Sequence, residues 1–95
     1  MISLLQGDVP RDEAVCFRCK RQMPCDQHHL LNKSEKQFAE RIGAMVWLCR
    51  SCHMYIHDTG EGQREWRAWK ALAEAEYLKT HSLEEWMQGA HRNYL

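Results

Sequence analysis

Residues 44–57 read Ala-Met-Val-Trp-Leu-Cys-Arg-Ser-Cys-His-Met-Tyr-Ile-His, and much of the fold can be inferred from this stretch. The apolar run at residues 44–48 has the length of a strand, which predicts a buried strand. A Cys-x-x-Cys turn follows, and the pattern from Cys52 to Asp58 is helical. The stretch therefore predicts a strand, a tight turn with two cysteines and a helix in direct succession.

An earlier Cys-x-x-Cys turn is separated from this one by 29 residues, and the two pairs are Cys16, Cys19, Cys49 and Cys52. Each pair can place two thiolates on one ion, and four thiolates complete the tetrahedral coordination of Zn²⁺. Such a closed site leaves no position for water, so the predicted zinc ion is structural. The alternatives are two unrelated reduced pairs or a redox couple, but no thioredoxin-like pattern surrounds either pair.

A structural metal would also explain how so short a chain folds. The sequence has 95 residues, of which 44% are apolar, and a single domain of this size has a marginal hydrophobic core. Five cysteines, an odd number, and the lack of an apolar N-terminal run argue against a secreted disulfide protein. We therefore expect a reduced, cytoplasmic protein. Cys25 is expected to be a free thiol, the alternative being that it replaces one of the four zinc ligands.

Four of the six histidines lie next to the cysteine pairs, at His28, His29, His53 and His57. His53 and His57 are four residues apart, so both imidazoles lie on one face of the predicted helix and can share an ion. Gln27–Leu31 predicts a strand running into a loop, in which neighbouring side chains point to opposite faces. One histidine of the doublet is then a ligand and the other is free for another role. Alternatively, His53 is a surplus zinc ligand and His57 an ordinary surface histidine.

A histidine doublet followed by a strand and by Leu-Cys-x-x-Cys-His-x-x-x-His resembles the HNH endonucleases, a family with a ββα-metal fold. The segments His-His-Leu-Leu-Asn-Lys-Ser-Glu, Val-Trp-Leu-Cys and Arg-Asn-Tyr-Leu are similar to a group of small phage-encoded members, so the resemblance covers residues 16–95. It implies an α+β fold, a small zinc-stabilised ββα-metal domain with a helical C-terminal extension. It also implies a phage protein that hydrolyses phosphodiester bonds of DNA in the host cytoplasm.

The resemblance implies a role for each histidine. His28 and His57 bind one catalytic divalent ion, His53 is a third ligand, and His29 is the general base. Mg²⁺, Mn²⁺, Ni²⁺ and Zn²⁺ are all candidates for this ion, although a histidine-rich site favours transition metals over Mg²⁺.

The sequence departs from the family at the middle asparagine, which falls on Ala44. In the family this asparagine braces the loop that carries the base, and Asn32 is predicted to replace it. The alternative function is a catalytically degenerate protein of the same fold that binds DNA or a protein partner, such as another phage protein. The oligomeric state is not indicated by the sequence.

The charges are unevenly distributed along the chain. Thirteen basic and thirteen acidic residues cancel, which gives no support for a general affinity for nucleic acids. Residues 14–53, however, carry seven Lys or Arg against three acids. If DNA is the partner, the predicted phosphate contacts are Lys33, Lys36, Arg41 and Arg50. The alternative is a solvated surface of mixed charge.

The chain divides by pattern into an arm at 1–13, a zinc-stabilised core at 14–62 and a helical extension at 63–95. The arm is expected to be loosely ordered. In the core, a capping box at residues 34–37 and a stop at Gly43 predict a two-turn helix. No transmembrane segment is found.

The extension is predicted to pack on the core. A helix over residues 63–79 carries Trp66, Trp69 and Tyr77 as a packing face, the alternative being the partner-binding face of a zinc-knuckle adaptor protein. A capping box at residues 82–85 then opens a short helix with Trp86 and Met87 turned inward.

Overall fold

The structure, a computed structural model, describes residues 1–95 and has an α+β fold with two small sheets and four helices. Short 3₁₀ turns lie at Arg11–Glu13 and Lys33–Glu35. In chain order the elements are β1 (Ile2–Ser3), β2 (Gly7–Asp8), β3 (Cys25–His29), α1 (Lys36–Ile42), β4 (Met45–Cys49), α2 (Arg50–Asp58), α3 (Gly60–Tyr77) and α4 (Leu83–Ala90).

The central unit of the fold is the antiparallel pair of β3 and β4, followed directly by α2. Cys25 lies opposite Cys49 and His29 lies opposite Met45. The strand predicted at 44–48 is confirmed with a shift of one residue, whereas the strand predicted at Gln27–Leu31 begins two residues earlier. Because α2 begins where β4 ends, the second cysteine turn and both helix histidines lie against the same strand pair.

The N-terminal residues are ordered, so the expectation of a loosely ordered arm at 1–13 is wrong. Strands β1 and β2 pair, and the Ser3 hydroxyl donates a hydrogen bond to the Met45 carbonyl at 2.5 Å. The side chain of Gln6 accepts from the backbone N–H of Trp47 at 2.7 Å, and the Trp47 indole donates to the Val9 carbonyl at 3.1 Å. Apolar periodicity in the sequence does not predict these polar contacts with β4.

Helix α1 ends as predicted but begins differently. Gly43 has a φ of 80°, and a Cβ there would lie 2.7 Å from the carbonyl oxygen of Ile2, so only glycine fits this stop. The predicted capping box at its start is wrong, because the Ser34 hydroxyl contacts the Glu35 carboxylate and caps no backbone N–H.

The break between α2 and α3 is shorter than predicted. Thr59 caps α3 by accepting from the N–H of Gly62 at 2.8 Å, so the helix begins at Gly60 and not near residue 63. A Cβ on Gly62 would lie 2.2 Å from the carbonyl oxygen of Tyr55. The glycine therefore allows α2 and α3 to pack closely, where the sequence suggested only a helix breaker.

The C-terminal helices pack on the core. Trp69 and Tyr77 are buried, which confirms the packing face of α3, and Trp86 is fully buried in α4. The Ser82–Glu85 capping box is confirmed, but Met87 is 36% exposed, so its predicted inward position is wrong. None of the helices combines the length and apolar character needed to cross a membrane.

Candidate metal centre

The four cysteines of the two turns form one cluster. The sulfur atoms of Cys16, Cys19, Cys49 and Cys52 all lie within 4.8 Å of one another, close enough to hold a metal ion such as zinc. All four are free thiols, and three of them are buried. The first turn approaches the second because the N–H of Phe17 donates to the carbonyl of Trp47 on β4 at 2.8 Å.

The surroundings of the cysteine cluster act in opposite directions on two of its thiols. Burial opposes ionisation of Cys16, but hydrogen bonds from backbone N–H groups, that of Cys19 first among them, lower the pKa of its thiol to about 6. At Cys52, burial outweighs the hydrogen bond from Arg18 and raises the pKa of the thiol to about 12. The Arg18 guanidinium lies 3.8 Å from the sulfur of Cys52 and is held by Glu65 at 2.9 Å. A positive charge is thus placed against a ligand set that carries net negative charge once zinc is bound.

Cys25 lies outside this cluster, which confirms that it is a free thiol. Its thiol donates to the carbonyl of Met23 at 3.2 Å. Burial and the negative charge of the neighbouring thiolates, that of Cys16 first, raise the pKa of Cys25 to about 11. It therefore remains a neutral thiol beside the metal ligands.

Three histidines form a second cluster, which the sequence could only suggest. One ring nitrogen from each of His28, His53 and His57 lies within 4.8 Å of the others, so that they could hold a metal ion. The ring of His28 on β3 faces both α2 rings, at centroid distances of 5.2 and 5.4 Å. His53 lies with this cluster and is not among the zinc-site ligands, so the surplus-ligand alternative is not supported.

The environment of His28 indicates whether an ion fits this cluster. It is only 3% exposed, and its Nε2 is buried without a hydrogen-bond partner. Burial, together with the nearby charges of His53 and His57, lowers the pKa of His28 to about 3. The imidazole is therefore neutral at physiological pH, which is the form that binds a metal ion, and its Nε2 makes no hydrogen bond within the chain. Burying this nitrogen unpaired costs free energy, which a divalent ion bound to it would offset.

His29 lies at the end of β3, where the strand gives way to the loop, and both histidines of the doublet line the same pocket of about 250 Å³. The Nε2 of His29 is 2.9 Å from the Glu40 carboxylate of α1. A carboxylate only accepts, so Nε2 carries the hydrogen and Nδ1 is left with a free lone pair. His29 therefore contacts α1 through Glu40, whereas the ring of His28 faces the two histidines of α2.

Besides Glu40, two further side chains of the site were missed in the sequence. Asp26 lies two residues before His28 on the same strand, and its carboxylate accepts from the Nδ1 of His53 at 3.1 Å. Trp66 packs against His28 and His57 at centroid distances of 4.5 and 4.9 Å. The period-two spacing of Asp26 and His28 could have indicated Asp26, but the sequence assigned Trp66 only to the packing face.

The four predicted phosphate contacts lie in different places in the structure. Lys33 and Lys36 line the histidine pocket. Arg41 stacks on Phe38 with its guanidinium carbon 5.3 Å from the ring centre. Arg50 pairs with Asp26 at 3.2 Å and is 78% exposed. Only the two lysines therefore lie at the pocket itself.

The prediction that Asn32 braces the loop is wrong, because its side-chain oxygen accepts from Lys70 at 3.2 Å and not from the loop backbone. Leu30 is held instead by two other groups. Its N–H donates to the carbonyl of Ala44 at 2.9 Å, and its carbonyl accepts from the Trp66 indole at 2.7 Å. Ala44 therefore supports the loop through its backbone carbonyl.

No protein-family model, curated protein or solved structure matches this chain.

Proposed function

We propose that the protein is a metal-dependent HNH-type endonuclease that hydrolyses phosphodiester bonds in DNA, with a structural zinc ion on its four cysteines. The observation that carries this proposal is the cluster of His28, His53 and His57, in which the buried Nε2 of His28 has no hydrogen-bond partner, with His29 beside it in one pocket. The order of an antiparallel strand pair and a following helix agrees with a ββα-metal arrangement.

The three clustered histidines are the residues that would hold a catalytic divalent ion. When bound, such an ion would stabilise the negative charge that develops on the phosphate oxygens during hydrolysis. Asp26 fixes the ring of His53 by accepting from its Nδ1, which leaves Nε2 as the nitrogen available to a ligand. Mn²⁺, Ni²⁺ and Zn²⁺ suit imidazole ligands better than Mg²⁺ does.

His29 is the proposed general base. Glu40 holds its Nε2–H, so that Nδ1 can accept the proton of an attacking water. The ionised carboxylate also stabilises the imidazolium that forms when the proton is taken up. Lys33 and Lys36 line the same pocket and supply positive charge for the phosphate group.

The second candidate is a protein of the same architecture that binds DNA without cleaving it. Ala44 favours this alternative, because it lacks the side-chain amide that the family uses at this position. Against it, the backbone of Ala44 and the indole of Trp66 already hold Leu30 from both sides. The loop next to His29 is therefore supported without the asparagine.

The experiment is a nicking assay of zinc-loaded protein on supercoiled DNA with added Mg²⁺, Mn²⁺ or Ni²⁺ and without any added ion. We expect cleavage that depends on the added ion, and a decrease of about 10²- to 10⁴-fold in the His29→Ala variant. His81→Ala is the matched control, since His81 is exposed and lies outside the site, and it should cleave like the wild type. Absence of cleavage with every ion, combined with retained DNA binding, would establish the second candidate instead.

A further inference from the structure

The extension carries a group of cations that the proposed catalytic site does not use. Arg67, Lys70 and Arg92 surround the ring of Tyr94, with their charged groups 5.5, 5.3 and 5.7 Å from its centre. They come from α3 and from the segment after α4, far apart in sequence. We refer to these four residues as the Tyr94 cluster.

The fold holds the segment of Arg92 and Tyr94 in place from the protein interior. The fully buried Trp86 donates from its indole to the Arg92 carbonyl at 2.8 Å. The fully buried Glu74 accepts from the N–H of Tyr94 at 2.6 Å. Two core side chains thus fix a surface segment whose own side chains are cationic and aromatic.

The positive charge of the Tyr94 cluster is not paired. None of the chain's five salt bridges includes Arg67, Lys70 or Arg92, and the buried Glu35 and Glu74 come no closer than 4.0 Å to their nitrogen atoms. Burial first, and then the nearby charges of Arg92 and Arg67, lower the pKa of Lys70 against the opposing charge of Glu35.

The Tyr94 cluster is continuous with the histidine pocket through Lys70. The Lys70 ammonium donates to Asn32 at 3.2 Å and lies 5.0 Å from the centre of the Trp66 ring. Asn32 and Trp66 both line the pocket, together with Lys33 and Lys36. A row of unpaired cations therefore runs from the pocket across α3 to the segment after α4.

We propose that the Tyr94 cluster is a second phosphate-binding subsite, which holds a backbone phosphate of DNA beside the one bound in the histidine pocket. Guanidinium groups bind phosphate oxygens with two parallel hydrogen bonds, and two such groups, those of Arg67 and Arg92, contact the ring of Tyr94. The subsite rests on the proposed function in that the bound partner is DNA. It gives the extension a binding role in addition to its packing role.

The test is the salt dependence of binding to a short fluorescein-labelled DNA duplex, measured by fluorescence anisotropy on zinc-loaded protein without added divalent ion. The Arg67→Gln/Arg92→Gln double variant removes two exposed charges. We expect the slope of log Kd against log salt concentration to be smaller by about two in this variant than in the wild type. Its Kd for the duplex near physiological salt should increase at least about tenfold. Lys79→Gln is the matched control, because Lys79 is already paired with Glu76; it should keep the slope of the wild type.

Thermal denaturation of the three proteins establishes that the variants are folded. Equal slopes for the double variant and the control, or a wild type that fails to bind the duplex at low salt, would overturn the subsite. The nicking assay on the same proteins separates this outcome from failure of the proposed function. A wild type that binds with the expected slope but does not cleave leaves the subsite standing and removes the hydrolase.

Discussion

The cysteine cluster and the histidine cluster share helix α2, yet they differ in burial, in the number and kind of ligand atoms and in access to a pocket. Cys49 and Cys52 lie at the end of β4 and the start of α2, and His53 and His57 follow within the next turns of the helix. The cysteine cluster is a closed set of four thiols that are mostly buried. The histidine cluster has three nitrogens and opens onto a pocket. A closed site contributes stability, whereas an open one leaves room for a substrate.

The largest expected effect is loss of folding on removal of a zinc ligand. Binding of structural zinc contributes about 10–16 kcal/mol of folding free energy in small domains. This is as large as or larger than the whole free energy of unfolding of a native protein, which is usually about 5–15 kcal/mol. Cys49→Ala should therefore abolish the cooperative unfolding transition seen by circular dichroism and the bound zinc found by elemental analysis. Cys25→Ala is the matched control, since Cys25 lies opposite Cys49 in the strand pair but outside the cluster. A folded Cys49→Ala protein would show that the cysteine cluster is not required for folding.

The next effect concerns the support of the histidine cluster. Partners that orient metal-bound histidines are typically worth about 10- to 100-fold in metal affinity, and Asp26 is the partner of His53. Asp26→Asn should weaken binding of Ni²⁺ to the zinc-loaded protein by that factor, measured by calorimetric titration, while the zinc content is unchanged. Asp8→Asn on the exposed strand β2 is the control. Equal Ni²⁺ affinities in both variants would show that Asp26 only pairs with Arg50.

Glu40 is expected to have a smaller effect, confined to the base. Glu40→Gln keeps the shape but replaces an ionised acceptor with a neutral one, so cleavage should slow by about tenfold, which corresponds to about 1.4 kcal/mol. Glu84→Gln, an exposed change in α4, is the matched control and should not alter the rate. An unchanged rate in the Glu40→Gln variant would show that Glu40 does not support the base.

The smallest expected effect is a pH dependence of stability. The pKa of His28 is 6.5 in the unfolded chain and about 3 in the folded chain, so its contribution is present above pH 6.5 and is lost as the pH falls toward 3. Without a second ion, the free energy of unfolding should fall by about 0.7 kcal/mol between pH 7 and pH 6 from this group alone. His28→Phe lacks this loss, which denaturant titrations of both proteins would reveal. Parallel curves would show that His28 is not buried as a neutral ligand.

The two clusters also differ in how far they follow from the sequence. The cysteine cluster depends on two local turns with fixed spacing, so Cys16, Cys19, Cys49 and Cys52 can be grouped from their spacing alone. The helix spacing of His53 and His57 is equally local. The approach of His28 to them depends on the register of β3 and β4, which periodicity does not determine.

The residues that the sequence did not indicate all act through contacts between distant segments. Asp26 and Glu40 hold histidines 27 and 11 residues away, and Trp66 reaches Leu30 across 36 residues. The N-terminal residues are ordered in the same way, because Ser3 donates a hydrogen bond to Met45 and Gln6 accepts one from Trp47. Local patterns predict helices, caps and metal turns, but they carry little information about which polar side chains meet in the folded chain.

Titration of zinc-loaded protein with Ni²⁺ in a calorimeter distinguishes two metal sites of different function from one. We expect the wild type to bind one Ni²⁺ per chain in addition to its zinc ion. A His53→Ala/His57→Ala variant should remain folded, retain its zinc and bind no Ni²⁺. A wild type that binds no second ion, or a variant that binds it with the same affinity, would show that the histidines do not form a metal site of their own.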